Sequence, residues 1–364
     1  MQERRVSDGV QHRLHVHRRG IGRTIHGAGY DGAWCSTRRA VKVRVPAQRP
    51  RFDRAHQNGD VPVPAEYVPL DRGRLQRLAT LLYRAAEVEA HYTGEDPVWT
   101  GQPGSVAQRD RAWTQPGVDP AETRRAVDTT YAAARLGLVS AVDQTRALAL
   151  LVTEPEPGPY GHLGIEVVAR SAVEIAARSW WLLESGIGPA ERVGRYLADQ
   201  LFSAYEAERL ARAMAWPHGV SGISPESAQL RLKCDELRLP YTRSSKAPAV
   251  AGQQRPLSTD LIPRLIRDTI YAPSAEMVYR LTSATTHGTH YALMRSYRDT
   301  GDRVNDEPVY VRHIDHRQVE PVAGVALSAI IASLQRATRL AGWGRIRVEM
   351  YEHSLNRFLW SMTY

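Results

Sequence analysis

Two cysteines, Cys35 and Cys234, are all that a chain of 364 residues contains. So few exclude a disulfide framework and a cysteine-ligated metal cluster, and they fit a reducing compartment, so the expected location is the cytoplasm. No run approaches the roughly 18 consecutive apolar residues of a membrane span. The best one, Val322 to Ala332, is interrupted by Gly324 and Ser328. The N-terminus lacks the apolar core of a signal peptide. Also missing are HExxH, GxxxxGK[ST], GxSxG and a GxGxxG on a strand-to-helix turn, so the standard nucleotide and hydrolase signatures are absent and no cofactor is expected. Lysine is scarce as well, occurring only at Lys42, Lys233 and Lys246. With nearly all basic residues Arg, and Ala, Val and Gly abundant, the composition reads as that of a GC-rich genome.

A formal charge of +9 suggests a polyanionic partner until it is divided along the chain. Residues 1–60 hold 13 Lys+Arg against 5 Asp+Glu, a net of +8, which leaves +1 for the other 304 residues. Overall charge therefore gives no argument for nucleic acid. Residues 1–66 are rich in Arg, His, Gly and Pro without periodicity and are expected to be a disordered segment, or one translated upstream of the true start codon. Five histidines (His12, His15, His17, His26 and His56) lie in it. Residues 67–364, in a chain that is 43% hydrophobic, can bury a substantial core.

Helical signals follow one another from Asp71. Leu75, Leu78, Leu82, Ala85 and Ala86 mark one stripe, and Thr93 to Val118 is a loop that Trp99 and Trp113 are expected to pin. Asp119-Pro120-Ala121-Glu122 supplies an N-cap, a proline at the first helical position and an acidic first turn, opening a helix that can run to Thr153 with Gly137 as its weak point. Pro189 opens a helix expected to be the hairpin partner of the one before it. Further helices start near Ser224, Thr259, Ser274, Val319 and Arg345. Residues 240–257 read as a mobile linker, and Val309-Tyr310-Val311 as a short strand or hairpin. The pattern is that of an all-α, multi-helix bundle with a disordered basic N-terminal segment.

The stretch His162 to Ser185 is the expected centre of that bundle. At about 100° per residue, Ile165, Val168, Ala172, Ile175, Ala176, Leu182 and Leu183 share one arc. Glu166, Arg170, Glu174 and Arg178 form a row on the other side, among Val167, Val173 and Trp181. A helix apolar on both sides is central, so the charged row is at least partly buried and needs polar partners. Ser283 and His287, one turn apart on a later helix, have the chemistry to meet Arg170 and Glu174 in one pocket, with the carboxylate orienting the imidazole. His287 and His290 lie one turn apart; a metal would need a third ligand from another element, and no metal is expected.

Arg170-x-x-x-Glu174 with Trp180-Trp181-Leu-Leu-Glu184, then Tyr279-Arg280-Leu-x-Ser283-x-x-x-His287-Gly288, resembles a group of uncharacterised all-helical actinobacterial proteins over residues 120–345. More distantly it is similar to the HEPN superfamily of helical bundles, which includes metal-independent ribonucleases of toxin and antiphage systems. That resemblance implies Arg280 and His287 as catalytic residues, with His287 as general acid or base on the ribose 2′-hydroxyl and Arg280 stabilising phosphorane charge. It also implies RNA as substrate and a homodimer. Leu281 stands where those enzymes usually carry a polar residue, and Gly288 interrupts the helix. The residues themselves support two other readings: a structural polar network of Arg170, Glu174, Ser283 and His287, and a small-molecule binding module with Trp180, Trp181 and Tyr279 lining a pocket.

Overall fold

Asp119-Pro120 does open a long helix. The Asp119 carboxylate accepts the Ala121 amide at 2.9 Å, and the helix continues to Thr153. This computed structural model describes residues 71–95, 99–153, 161–214, 225–243, 248–267, 269, 272–287, 289, 297–304, 307–312 and 316–361. The chain divides into Met1–Glu66 and Tyr67–Tyr364; the first unit, with the expectations placed on it, lies outside the described residues.

Ten helices are described: α1 (Arg72–Glu95), α2 (Val106–Arg111), α3 (Pro120–Thr153), α4 (Gly161–Leu182), α5 (Pro189–Ala213), α6 (Pro225–Glu236), α7 (Ser258–Arg267), α8 (Ala272–Thr286), α9 (His316–Ala341) and α10 (Ile346–Trp360). Two small antiparallel sheets accompany them. One has strands β1 (Tyr241–Arg243), β2 (Pro248–Val250) and β3 (Gln253–Gln254) in that order, and the other pairs β4 (Tyr297–Val304) with β5 (Glu307–Arg312). The protein is all-α, a helical bundle.

At the centre lies α4, flanked chiefly by α3 and α9, with α7 and α8 against it as well. Ala169, Ala172, Val173, Ala176, Ala177, Trp180 and Trp181 are all buried, so both sides of this helix face protein. Small residues let its neighbours come close. A Cβ added at Gly137 of α3 would lie 2.5 Å from Ser179 Oγ, so the glycine that weakens α3 in isolation is what admits α4. From α9, the Ser333 hydroxyl donates to the Ala176 carbonyl at 2.9 Å. The segment expected as a loop from Thr93 to Val118 instead begins inside α1 and carries α2; Trp99 does pin it, being buried with its ring edge-on to Trp343 at 5.6 Å.

Two further expectations need correction. The helix after Pro189 is not the main partner of α4; α5 packs instead on α3, α6 and β2. Leu210 near its end, and Met214 just beyond it, are exposed. The reason lies in its first two turns, where Arg192 and Arg195 reach back to the carbonyls at the end of α4, so that the two helices are joined there and hardly along their lengths. The second correction concerns 240–257, whose described residues carry β1, β2 and β3 where a linker was expected. Gly252 there, with Ala251, makes the tight turn between β2 and β3, at φ 73° and 50°. A Cβ on Gly194 of α5 would stand 2.6 Å from the Val250 carbonyl, so this glycine seats the turn on the helix.

By length and composition, Pro120–Thr153 and Val319–Ala341 are long and apolar enough to cross a membrane. In the second, 83% of the most apolar window is buried inside the bundle, which accounts for its hydropathy as core. In the β4–β5 hairpin the strand expected at 309–311 is present, and β4 bulges between Asp299 and Arg303 around Gly301, whose φ is 81°.

Glu89 of α1 is buried, and its Oε1 has no hydrogen-bond partner among the described residues. Burial pushes its carboxyl above the ordinary range, against the opposing pull of Thr93, Arg135 and Arg146. A folded value above the unfolded one means that folding takes up a proton, so stability falls as pH rises from about 4.5 through the folded value. Glu89→Gln should therefore raise the thermal midpoint at neutral pH. The gain should vanish in acid, where the wild-type carboxyl is neutral too; an unchanged difference across the pH series would contradict this assignment.

Candidate functional site

The charged row of α4 meets α8. Glu166 is buried, and the Thr285 hydroxyl donates to its carboxylate. One turn on, Arg170 Nε donates to Glu174 Oε1 at 2.8 Å, and Arg170 Nη1 to the Ser283 carbonyl at 3.4 Å. The guanidinium lies 5.7 Å from the centre of the Tyr279 ring, and the Tyr279 hydroxyl donates to the same Glu174 oxygen at 3.4 Å. Partner numbers on α8 fall from 285 to 279 as those on α4 rise from 166 to 174, so the helices run antiparallel with a polar seam between them. Burial, and then the charge of Glu174, push the Tyr279 phenol above its ordinary range, which keeps it a donor.

The seam gathers Arg170, Glu174, Tyr279 and Ser283, the last through its main-chain carbonyl. That carbonyl also accepts the His287 amide at 3.0 Å. The imidazole itself is exposed, and no hydrogen bond or ion pair joins it to Glu174 or Arg170. The carboxylate expected to orient His287 is occupied by Arg170 and Tyr279 instead. Arg280 is exposed too. Seven positions separate Arg280 from His287, which brings them within about 20° of each other on an α-helix, two turns and some 10 Å apart. His290 lies outside the described residues, and among those described no three His, Cys, Asp or Glu side chains are placed to hold a metal.

Trp180 and Trp181 face arginines. The Arg336 guanidinium lies 3.3 Å from the centre of the Trp180 ring, and that of Arg195 lies 5.2 Å from the Trp181 ring. The same arginines close the end of α4. Arg336 donates to the Trp180 carbonyl at 2.8 Å, Arg195 to that of Trp181 at 2.7 Å, and Arg192 to that of Leu182 at 2.7 Å. Carbonyls that a helix end leaves unpaired thus receive cations, which also complement the negative end of its dipole.

Arg192 continues into a network that sequence reasoning did not find. Its Nε donates to Asp110 Oδ2 at 2.9 Å, both side chains being almost fully buried at 1% and 5% exposure. The Tyr131 hydroxyl donates to the same oxygen at 2.5 Å, and burial keeps this phenol protonated far above its ordinary range. The only sequence hint was two arginines, Arg192 and Arg195, set among the apolar positions Val193, Tyr196 and Leu197. Beside the network, Thr100, Gly101, Gln108, Arg111, Ala112 and Arg124 line an open depression of about 400 Å³. Arg111 there is already bound, to Asp128 at 2.5 Å and the Trp99 carbonyl at 2.7 Å.

Comparison of the chain with protein-family models, with curated proteins and with solved structures found no match.

Proposed function

We propose that this is a non-catalytic, cytoplasmic helical protein in which the Arg170–Glu174–Tyr279 cluster is a structural seam fastening α8 to α4. The observation behind this reading is that the groups of the cluster satisfy one another: Glu174 takes both Arg170 and Tyr279, and Arg170 takes both Glu174 and the Ser283 carbonyl. A site built to receive a substrate keeps such groups available. Trp180 and Trp181, covered by Arg336 and Arg195, give a small-molecule pocket no support. Glu174→Ala should lower the urea midpoint by the equivalent of about 1–3 kcal/mol, because it strands a partly buried guanidinium.

A second reading rests on one observation, the exposure of Arg280 on α8 and of His287 just after its last residue. An exposed imidazole and guanidinium at this spacing suit metal-independent RNA cleavage at an interface between two copies of the chain. Incubation of the full chain with RNA in chelator separates the two readings. Cleavage by wild type that is lost in His287→Ala establishes the nuclease and overturns the non-catalytic proposal. Intact RNA, or cleavage that survives the substitution, removes the second reading.

A further inference from the structure

Of the two long apolar helices described, α3 hides less of itself than α9. In α3 only 39% of the most apolar window is buried, against 83% in Val319–Ala341. What stays outside is ordered. Leu136, Val139, Asp143, Arg146, Leu150 and Thr153 follow one another at alternating steps of three and four, and each is exposed or half-buried. Leu136 and Leu150 are 68% and 60% exposed, so no described part of the chain covers this stripe. A repeat that averages 3.5 residues is the seam of a two-stranded coiled coil. Ser140 and Ala147, which follow Val139 and Arg146 along one edge of the seam, are small and leave room for a second helix to come close.

The charges within the stripe select what covers it. Asp143 and Arg146 pair with each other at 2.9 Å, and both are about half exposed. A bilayer or an apolar groove would desolvate the two and offer nothing in return. A second copy of this chain, laid antiparallel about a two-fold axis midway between them, presents the same charges in the opposite order. That axis sets Asp143 of each copy against Arg146 of the other, Val139 against Leu150, and Leu136 against Thr153. Thr153 brings its methyl to the seam, since its hydroxyl is bonded to the Ala149 carbonyl at 2.9 Å. Opposite charges thus meet at the centre and apolar groups meet on both sides. We propose that α3 is a homodimer interface of this kind, an antiparallel seam with two crossed Asp143–Arg146 pairs at its centre. A polar layer inside an apolar seam also fixes the register. The interface uses no residue of α8, so it stands whether or not Arg280 and His287 cleave RNA.

One helix of this length offers less than the roughly 800 Å² per partner of a standard interface, so a weak dimer is expected, with a Kd of the order of 10 μM. Sedimentation equilibrium of the full chain from about 1 μM to about 300 μM should show monomer passing into dimer. Asp143→Arg and Arg146→Asp each set like charges across the axis and should weaken self-association by about tenfold or more. The thermal midpoint of the dilute monomer should hardly change in either, because both positions are exposed. Mixed in equal amounts, the two variants should associate again, since each supplies the charge the other lacks and neither can repair the pair within one chain. That recovery separates a second copy from every other occupant of the stripe. The proposal is overturned by a chain that stays monomeric over the whole range, by single variants that associate as wild type does, or by a mixture that associates no better than either variant alone. It is overturned equally by a monomer that binds vesicles of neutral phosphatidylcholine, which would make α3 a membrane-facing surface.

Discussion

Asp110→Ala is expected to cost about 3–5 kcal/mol of folding free energy, the usual consequence of removing one partner from a buried ion pair. Asp110 Oδ2 accepts from both Arg192 Nε and the Tyr131 hydroxyl, and all three side chains are buried. Without the carboxylate, Arg192 keeps only the carbonyls of Leu182 and Ile187, neither of which carries a full charge. The penalty is thus a desolvated cation rather than a lost contact. Adding Arg192→Met to Asp110→Ala should recover part of the loss, because no charge is then buried. Urea unfolding reads both, as a lower midpoint with unchanged slope. Arg192→Met also takes the donor from the Leu182 and Ile187 carbonyls, so the recovery is partial; a double variant no better than the single would refute the charge argument.

The second large effect belongs to the central helix. Leu182→Ala removes a side chain only 5% exposed in the last turn of α4, and a loss of about 2–5 kcal/mol is expected. Ile175 was expected to match it, from its place on the same arc. It is only partly buried, however, and packs at the margin of the core, so Ile175→Ala should cost clearly less than Leu182→Ala in parallel denaturation curves. The reverse order would show that α4 is turned about its axis relative to this structure.

The helices were legible in the sequence because their signals are local. Asp119-Pro120 marks the start of α3 within three residues, and apolar positions on both sides of α4 announced its central place. The partial burial of its charged row followed from the same pattern, and so did the need for a polar partner. What local pattern could not supply was the identity of the partners. Tyr279, adjacent to the Arg280 that drew attention, is the residue on Glu174, and Ser283 contributes a carbonyl that any residue would provide. Arg192 finds Asp110 across 82 positions, and no periodicity encodes a separation of that kind. The meander at 241–254 was missed for another reason, since the glycine and proline that loosen a linker are also those that make tight turns, and only the seat at Gly194 distinguishes the two.

The cap on α4 gives the scarcity of lysine a mechanical meaning. Read from composition, arginine in place of lysine is a matter of coding bias. At the end of α4, one guanidinium serves Leu182, Ile187 and Asp110 together, and another serves Trp181, Glu184 and Gln253. A lysine has one ammonium at the tip of a flexible stem and cannot span acceptors spread over a planar fork. Substituting lysine at Arg192 or Arg195 would preserve charge yet leave main-chain oxygens facing a protein interior with nothing to accept from. A bias that began in the coding sequence has become a dependence of the fold, in which three long side chains drawn from α5 and α9 determine where the central helix stops.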